Sequence, residues 1–498
     1  MRNAHHELPL SDPLKEIRET LFYPMLIGGQ WVESRSGQWM DVYHPADGEL
    51  LAKVPAATAE DVNEAVQAAG RALKTWKHTP PVQRGRLLLK LADLLEENIE
   101  YLAAIDAIDS GNPVSAMKTD IVAAARQIRY FAGLVLEMKG DTLPFSGAML
   151  HSTHREPYGV VARIIPFNHP IMFAAGKIAA PLAAGNTVVL KPADQTPISP
   201  LIFGKLANQI LPPGVLNIIT GDGRNAGDAL VRHPEIKRIA FTGGFTTGRK
   251  VLQTAAEGMK VVSLELGGKN PMLVFPDADL GEVVKSAVKG MNFDVSQGQS
   301  CGSTSKIFVH ESMVADFVSK LAEEVANIKI GMPSEPGCQM GALISEAHLQ
   351  RVDGFVKRAV AEGARVVTGG CREEKAPFDK GYFYLPTVLD QVTPEMEIAV
   401  EEVFGPVIAV IPWSDEEEVL RLANDSEYGL TASIWTNDIR RAYRIATRLE
   451  TGYIWINDSS SRFIGTPFGG YKQSGIGVEN SIEEMLSYTQ IKTINVSL

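Results

Sequence analysis

A chain of 498 residues exceeds what one hydrophobic core normally supports, so at least two domains are expected. Its 45% hydrophobic and 21% charged residues are those of an ordinary soluble globular protein, and a net charge of −11 without a basic stripe argues against a nucleic-acid partner. The three cysteines, Cys301, Cys338 and Cys371, cannot form a disulfide framework and fit a reducing compartment, and no apolar run is long enough to span a bilayer, so a cytoplasmic protein away from membranes is the default.

Residues 1–23 mix His5, His6, Glu7, Asp12 and Lys15, and lack both the apolar centre of a signal peptide and the acid-poor character of a transit peptide. His5 and His6 read as a solvated tail, and no metal site is expected. Thr58 and Asp61 form a capping-box-like start for an amphipathic helix with Val62, Ala65, Val66, Ala69 and Leu73 on one face. A second helix is predicted over residues 82–109, closed by Gly111, and a third over 120–138. Residues 140–158 read as extended.

From Gly159 the rhythm becomes strand, loop, helix. Strands are predicted at 160–165, 187–190, 215–219 and 239–241, and after Pro271 at 272–275, 306–309, 366–368, 407–411 and 453–456. Short apolar strands alternating with helices imply parallel sheets covered on both faces, with ligands at the carboxyl ends of the strands. Two α/β domains should meet near Gly267.

Several strand ends carry residues suited to chemistry. Asn168, in Ile165-Pro166-Phe167-Asn168-His169-Pro170, can present an amide to a developing oxyanion or merely cap the next helix; His169 reads as a wall or packing residue. Lys191 can bond a ribose or phosphate, and Asp194 can accept from ribose hydroxyls while repelling a 2′-phosphate. The run Gly221 to Gly227 has its last interval one residue too long for a dinucleotide fingerprint and reads as a turn. Phe241-Thr242-Gly243-Gly244-Phe245-Thr246-Thr247-Gly248 is the better phosphate candidate, since it follows a strand and opens a helix. Cys301, after a Gly-containing turn, is a candidate nucleophile, and Glu265 a candidate base.

Leu264-Glu265-Leu266-Gly267-Gly268-Lys269-Asn270-Pro271 and Gln297-Gly298-Gln299-Ser300-Cys301 resemble the two active-site signatures of the aldehyde dehydrogenase superfamily, and further matches run from about Leu26 to the C-terminus. The resemblance implies a Rossmann-like cofactor domain (residues 1–138 and 159–266), an α/β catalytic domain (267–479) and a small β oligomerisation element (139–158 and 480–498). It implies an NAD(P)-dependent enzyme that oxidises a small-molecule aldehyde to a carboxylic acid, as a homodimer or homotetramer. Cys301 is then the nucleophile, Asn168 the oxyanion donor and Glu265 the base that activates water. Glu265 also argues against the coenzyme-A-acylating branch, and the intact set with Lys191 argues against a catalytically silent paralogue.

Cofactor contacts would come from Ile164, Pro166, Phe167, Lys191, Asp194, Gly243, Gly244, Gly248, Leu266, Glu402 and Phe404, with NAD expected and NADP possible. Substrate contacts would come from Phe173, Gly176, Arg462, Phe463 and Phe468. Gly176 falls where many members place a bulky aromatic, so the tunnel entrance should be wide; Arg462 could pair with a substrate anion or simply face solvent. Departures include Gly244 and Phe245 where Ser and Thr are common, and Val478 where Arg is common. Glu479 stands where an auxiliary base has been proposed, or is a surface carboxylate.

Overall fold

The computed structural model describes residues 12–144 and 147–497, so His5 and His6 lie outside it. The fold opens with strands β1 (Met25–Ile27) and β2 (Gln30–Val32). Helix α1 (Ala59–Trp76) starts in a full capping box, with Thr58 and Asp61 each bonding the other's backbone. The single helix expected over 82–109 is two, α2 (Pro81–Glu97) and α3 (Ile99–Ser110). Asn98 separates them: its backbone leaves helical geometry at ψ 19°, and its side-chain amide donates to Leu94 O at 2.8 Å. Gly111 ends α3 in the left-handed conformation at φ 80°. Helix α4 (Val114–Gly133) starts earlier than predicted, directly after Pro113, and stops short of Met138.

Strand β3 (Met149–Pro157) follows, then β4 (Val160–Ile164), helix α5 (Pro170–Gly176), β5 (Thr187–Lys191), α6 (Ile198–Ile210), β6 (Leu216–Ile218), β7 (Ile236–Thr242), α7 (Phe245–Ala256) and β8 (Val261–Glu265). The second half contributes β9 (Pro271–Val274), α8 (Leu280–Met291), β10 (Lys306–His310), β11 (Arg365–Thr368), β12 (Thr387–Asp390), β13 (Val407–Trp413), β14 (Thr431–Trp435) and β15 (Tyr453–Ile456). The last strands are β16 (Gly475–Ile476) and β17 (Thr489–Ser497).

The first large sheet has the order β2-β1-β6-β5-β4-β7-β8-β16, and β4 to β8 run parallel. Successive strands step outward from β4 to β5 and β6 on one side, then to β7 and β8 on the other. The crevice between β4 and β7 is therefore a topological switch point, the usual ligand position in such sheets. Alternate residues face opposite layers: Val161, Val188 and Ala240 pack under α2, α4 and α6, whereas Ala162, Val189 and Ile239 pack with Val62, Val66 and Val251 of α1 and α7.

The second sheet has the order β11-β12-β13-β10-β9-β14-β15 and is parallel except for β11, which runs antiparallel to β12 at the edge. The chain leaves the first sheet after Glu265 and joins the second at Pro271, then comes back when β16 pairs antiparallel with β8. Strand β3 pairs along its whole length with β17 as a separate two-stranded ribbon. Among the described residues no helix is long and apolar enough to cross a membrane.

Candidate active site

Cys301 sits on a turn that is bonded from both sides. Gln297 and Gly298 are left-handed at φ 54° and 70°, which turns the chain sharply after α8 and its short continuation. The Asn270 amide donates to Cys301 O at 2.8 Å and to Ser303 O at 2.9 Å, while its Oδ1 accepts from Thr431 N. The loop after β8 thus fixes the backbone of the nucleophile turn. On the other side Asn168 Nδ2 donates to Gln299 O at 2.8 Å, leaving one N–H of that amide uncommitted and its Oδ1 buried without a partner among the described residues. Asn112 Nδ2 bonds Asn168 O at 2.8 Å, and the Gln297 amide is best satisfied with its nitrogen 2.9 Å from Asn112 Oδ1.

Burial pushes the Cys301 thiol above its ordinary value, and the Arg462 charge opposes that rise. The Arg462 guanidinium stacks 4.6 Å over the Phe468 ring, and its Nη2 lies 2.9 Å from where a Gly302 side chain would begin. Arg462 is exposed, in line with the solvent-facing alternative, and its stack on Phe468 holds the charge beside the nucleophile turn. Phe468 is buried and Phe463 exposed.

Glu265, at the end of β8, is buried, and one of its oxygens has no partner among the described residues. Burial raises its carboxyl to about 8, against the charges of Lys177, Arg163 and Arg462. Glu479 is not a surface carboxylate. It is buried and paired with Lys177, and it accepts from Arg163 Nη2 at 2.6 Å. Glu484, also buried, is a second anion of this cluster, so Lys177 and Arg163 draw the Glu265 carboxyl down while Glu484 pushes it up.

Gly176 does not open the tunnel as expected. A side chain there would collide with Gln127 of α4, whose amide fills the space and is itself bonded to Asn480 Oδ1 at 2.6 Å. The glycine permits close packing of α5 on α4. Phe173, one turn earlier, is buried against His169.

Toward the other end of the crevice, Ile164, Pro166 and Phe167 are half-buried at the end of β4. Phe167 packs edge-to-face with Phe404 at 5.7 Å and with His348 at 6.0 Å, and His348 Nε2 is 2.7 Å from Phe404 O. Glu402 accepts from Gly268 N at 3.0 Å and presses on Gly267, where a Cβ could not fit; burial lifts its carboxyl to about 7. Lys191 is buried and donates to Pro192 O at 3.1 Å, close to the charges of Asp194 and Asp222. The Gly221 to Gly227 run is more than a turn: Gly223–Gly227 forms a single π-helical turn capped by Asp222, against the Lys191 stem.

Among the described residues the N-terminus of α7 has no side-chain cap, the space at Gly244 is open, and Thr242 Oγ1 is buried without a partner. Gly243 and Gly248 are closely packed by Phe241 and Leu266. An uncapped helix end with free N–H groups, a buried lysine and half-buried acids at either end suit an extended anionic ligand such as a dinucleotide.

The aldehyde dehydrogenase family model matches residues 31–494. The chain belongs to the aldehyde dehydrogenase family. It is 40% identical over 500 aligned positions to aldehyde dehydrogenase tropH of Talaromyces stipitatus, covering 98% of this chain and 96% of that protein. An aldehyde dehydrogenase of Bacillus cereus, solved as an NAD+ complex, superposes with a TM-score of 0.93 at 40% identity, covering 97% of this chain and 98% of that one. A betaine aldehyde dehydrogenase of Staphylococcus aureus, also with NAD+, gives 0.94 at 35% identity, covering 98% and 97%. This family member is therefore an oxidoreductase by kinship.

Sequence reasoning missed Asn112 and the structural roles of Asn270, Arg163, Gln299 and His348. Asn270 stood inside a recognised signature, but its two-carbonyl grip on the cysteine turn is a tertiary contact with no local signal. Arg163 carried one: a charged residue in the middle of the apolar run Val160 to Ile165.

Proposed function

We infer that this protein oxidises an aldehyde to a carboxylic acid with NAD, through a covalent thiohemiacetal and then a thioester on Cys301. The observation that supports the reading best is the convergence of a buried Glu265 and an Asn168 amide on the Cys301 turn at the switch point of the first sheet. Once deprotonated, Cys301 Sγ adds to the carbonyl carbon. The carbonyl π pair moves onto oxygen, which accepts hydrogen bonds from the free Asn168 N–H and the Cys301 backbone N–H. NAD, when bound, supplies the acceptor for the hydride lost from that carbon. Glu265 as carboxylate then takes a proton from water, whose oxygen attacks the thioester carbon, and the C–S bond breaks to release acid and thiolate.

Lys191, Asp194, the N-terminus of α7, Glu402, Phe404 and Phe167 would hold the dinucleotide. The half-buried Asp194 supports NAD over NADP, as do the NAD+ complexes of the two relatives. The Arg462–Phe468 stack beside Gly302 suits a bulky aromatic or carboxylate-bearing aldehyde. The three free thiols suit a cytoplasmic enzyme.

Absorbance of NADH over a panel of aliphatic, aromatic and carboxylate-bearing aldehydes tests the reading. Cys301→Ala should abolish NADH formation, whereas Cys338→Ala and Cys371→Ala retain it, and the product without coenzyme A should be free acid. An undiminished rate in Cys301→Ala, or product formed only as a coenzyme-A thioester, would overturn it.

A further inference from the structure

The two N–H groups that would hold the oxyanion come from different parts of the chain: Asn168 follows β4 of the first sheet, and the Cys301 N–H lies on the turn before β10 of the second. Their spacing is therefore a tertiary property, set by whatever ties one loop to the other. One tie is the Asn168 side chain itself, through its bond to Gln299 O at 2.8 Å. That amide has to stay aligned with the reacting carbonyl, so it is poorly suited to carry the connection alone.

A second tie runs through Asn112. Its Nδ2 donates to Asn168 O at 2.8 Å, and among the described residues no backbone N–H reaches that carbonyl. The Gln297 side-chain nitrogen donates to Asn112 Oδ1 at 2.9 Å, and Gln297 is the left-handed residue that starts the cysteine turn. Asn112 is 1% exposed, so it joins both loops away from water. The link that carries it, between α3 and α4, is stiff. Gly111 is left-handed at φ 80° and its carbonyl accepts from Ala342 N at 3.1 Å, while Pro113 restricts the backbone on the other side and Val114 N donates to Pro333 O at 2.8 Å. Asn112 thus stands on a short segment braced against the half of the chain that carries the nucleophile.

We propose that Asn112 is a positioning residue for the oxyanion pocket: by holding the Asn168 backbone to the cysteine turn, it keeps the free Asn168 N–H in register with the Cys301 N–H. This deepens the aldehyde-oxidising reading and rests on it. The contribution is geometric, because a donor displaced by a fraction of an ångström no longer meets the charge that develops on the carbonyl oxygen. Asn112 acts through Asn168, so its effect vanishes once the Asn168 amide is gone.

The experiment compares the parent with Asn112→Ala, Asn168→Ala and the double variant, using the aldehyde oxidised fastest in the NADH panel. Asn112→Ala should lower kcat/KM for the aldehyde by about ten- to a hundredfold. It should leave the Kd for NAD, read by fluorescence titration, within about twofold of the parent. The double variant should match Asn168→Ala alone, again within about twofold. Iodoacetamide alkylates Cys301 without building charge on a carbonyl oxygen, so the rate at Cys301, followed by peptide mass spectrometry, should stay parental in Asn112→Ala. An unchanged kcat/KM in Asn112→Ala, losses that multiply in the double variant, or alkylation that slows in step with oxidation overturns this inference and leaves aldehyde oxidation standing. Should Asn112→Ala not fold, Asn112→Leu, which keeps the branched shape of the side chain, takes its place; failure of both makes the residue structural and equally overturns the inference. If no aldehyde of any class is oxidised by the parent, the functional reading itself fails and takes this one with it.

Discussion

Burial alone would keep both reacting groups protonated at neutral pH, so the neighbouring cations set when they become competent. Glu265 titrates at about 8 and accepts a proton from water only as a carboxylate, so hydrolysis should quicken as pH rises through that value. Cys301, also raised, changes in the same direction. Glu265→Gln removes the base and leaves attack possible: stopped-flow should show a retained pre-steady-state burst of NADH, with steady turnover down by roughly a hundredfold and its rise near pH 8 gone. Equal loss of burst and turnover would instead implicate Glu265 in attack or folding.

Helix α3 carries a cost that its position behind the site imposes. Asp106 and Asp109 are fully buried on it, and both accept from Ser199 Oγ of α6, with Asp106 Oδ1 at 2.6 Å. Burial lifts Asp109 from 3.8 to about 7. Between those values the folded protein keeps a proton that the unfolded chain has released, so stability falls as pH rises through the window. Asp109→Asn should raise the unfolding midpoint at pH 8, by roughly 1–3 kcal/mol of stability, and make little difference at pH 4. A gain that persists at pH 4 would point to packing instead of charge. Elements with a local signal were legible in the sequence. The Thr58–Asp61 capping box, the Gly111 stop and the apolar strands of both sheets follow from short-range rules. What failed were features decided by distant partners. β11 pairs antiparallel with β12 at the sheet edge, and Gly176 looked empty because Gln127 is far away in sequence; the break at Asn98 is local instead, made by its own backbone and its bond to Leu94 inside a continuous apolar pattern. The surface-carboxylate alternative for Glu479 stayed open because neither Arg163 nor Lys177 is near it along the chain.

At the scale of the whole molecule, the β3–β17 ribbon is out of proportion to its support. Nearly all of β17 is exposed, and Leu150, Ile494 and Val496 share one of its faces. A two-stranded ribbon is marginal in water by itself and an uncovered apolar face calls for a partner; the expected homo-oligomer would supply a second copy of the chain. Replacing Ile494 and Val496 together with Asp should lower the mass measured by light scattering toward that of one chain; an unchanged mass would remove the ribbon as the contact. A different consequence attaches to the return of β16 onto β8. The ribosome delivers Glu265 long before Gly475 and Ile476, so through much of synthesis the strand that carries the base is an unpaired edge. Leu266 N, which finds Ser474 O at 2.9 Å in the finished fold, waits equally long. A chain cut short before residue 475 would contain every residue needed for the chemistry and still present a sticky, unsealed border to its neighbours. The last segment thus seals the edge of the strand that carries the base, and only the finished chain closes that border.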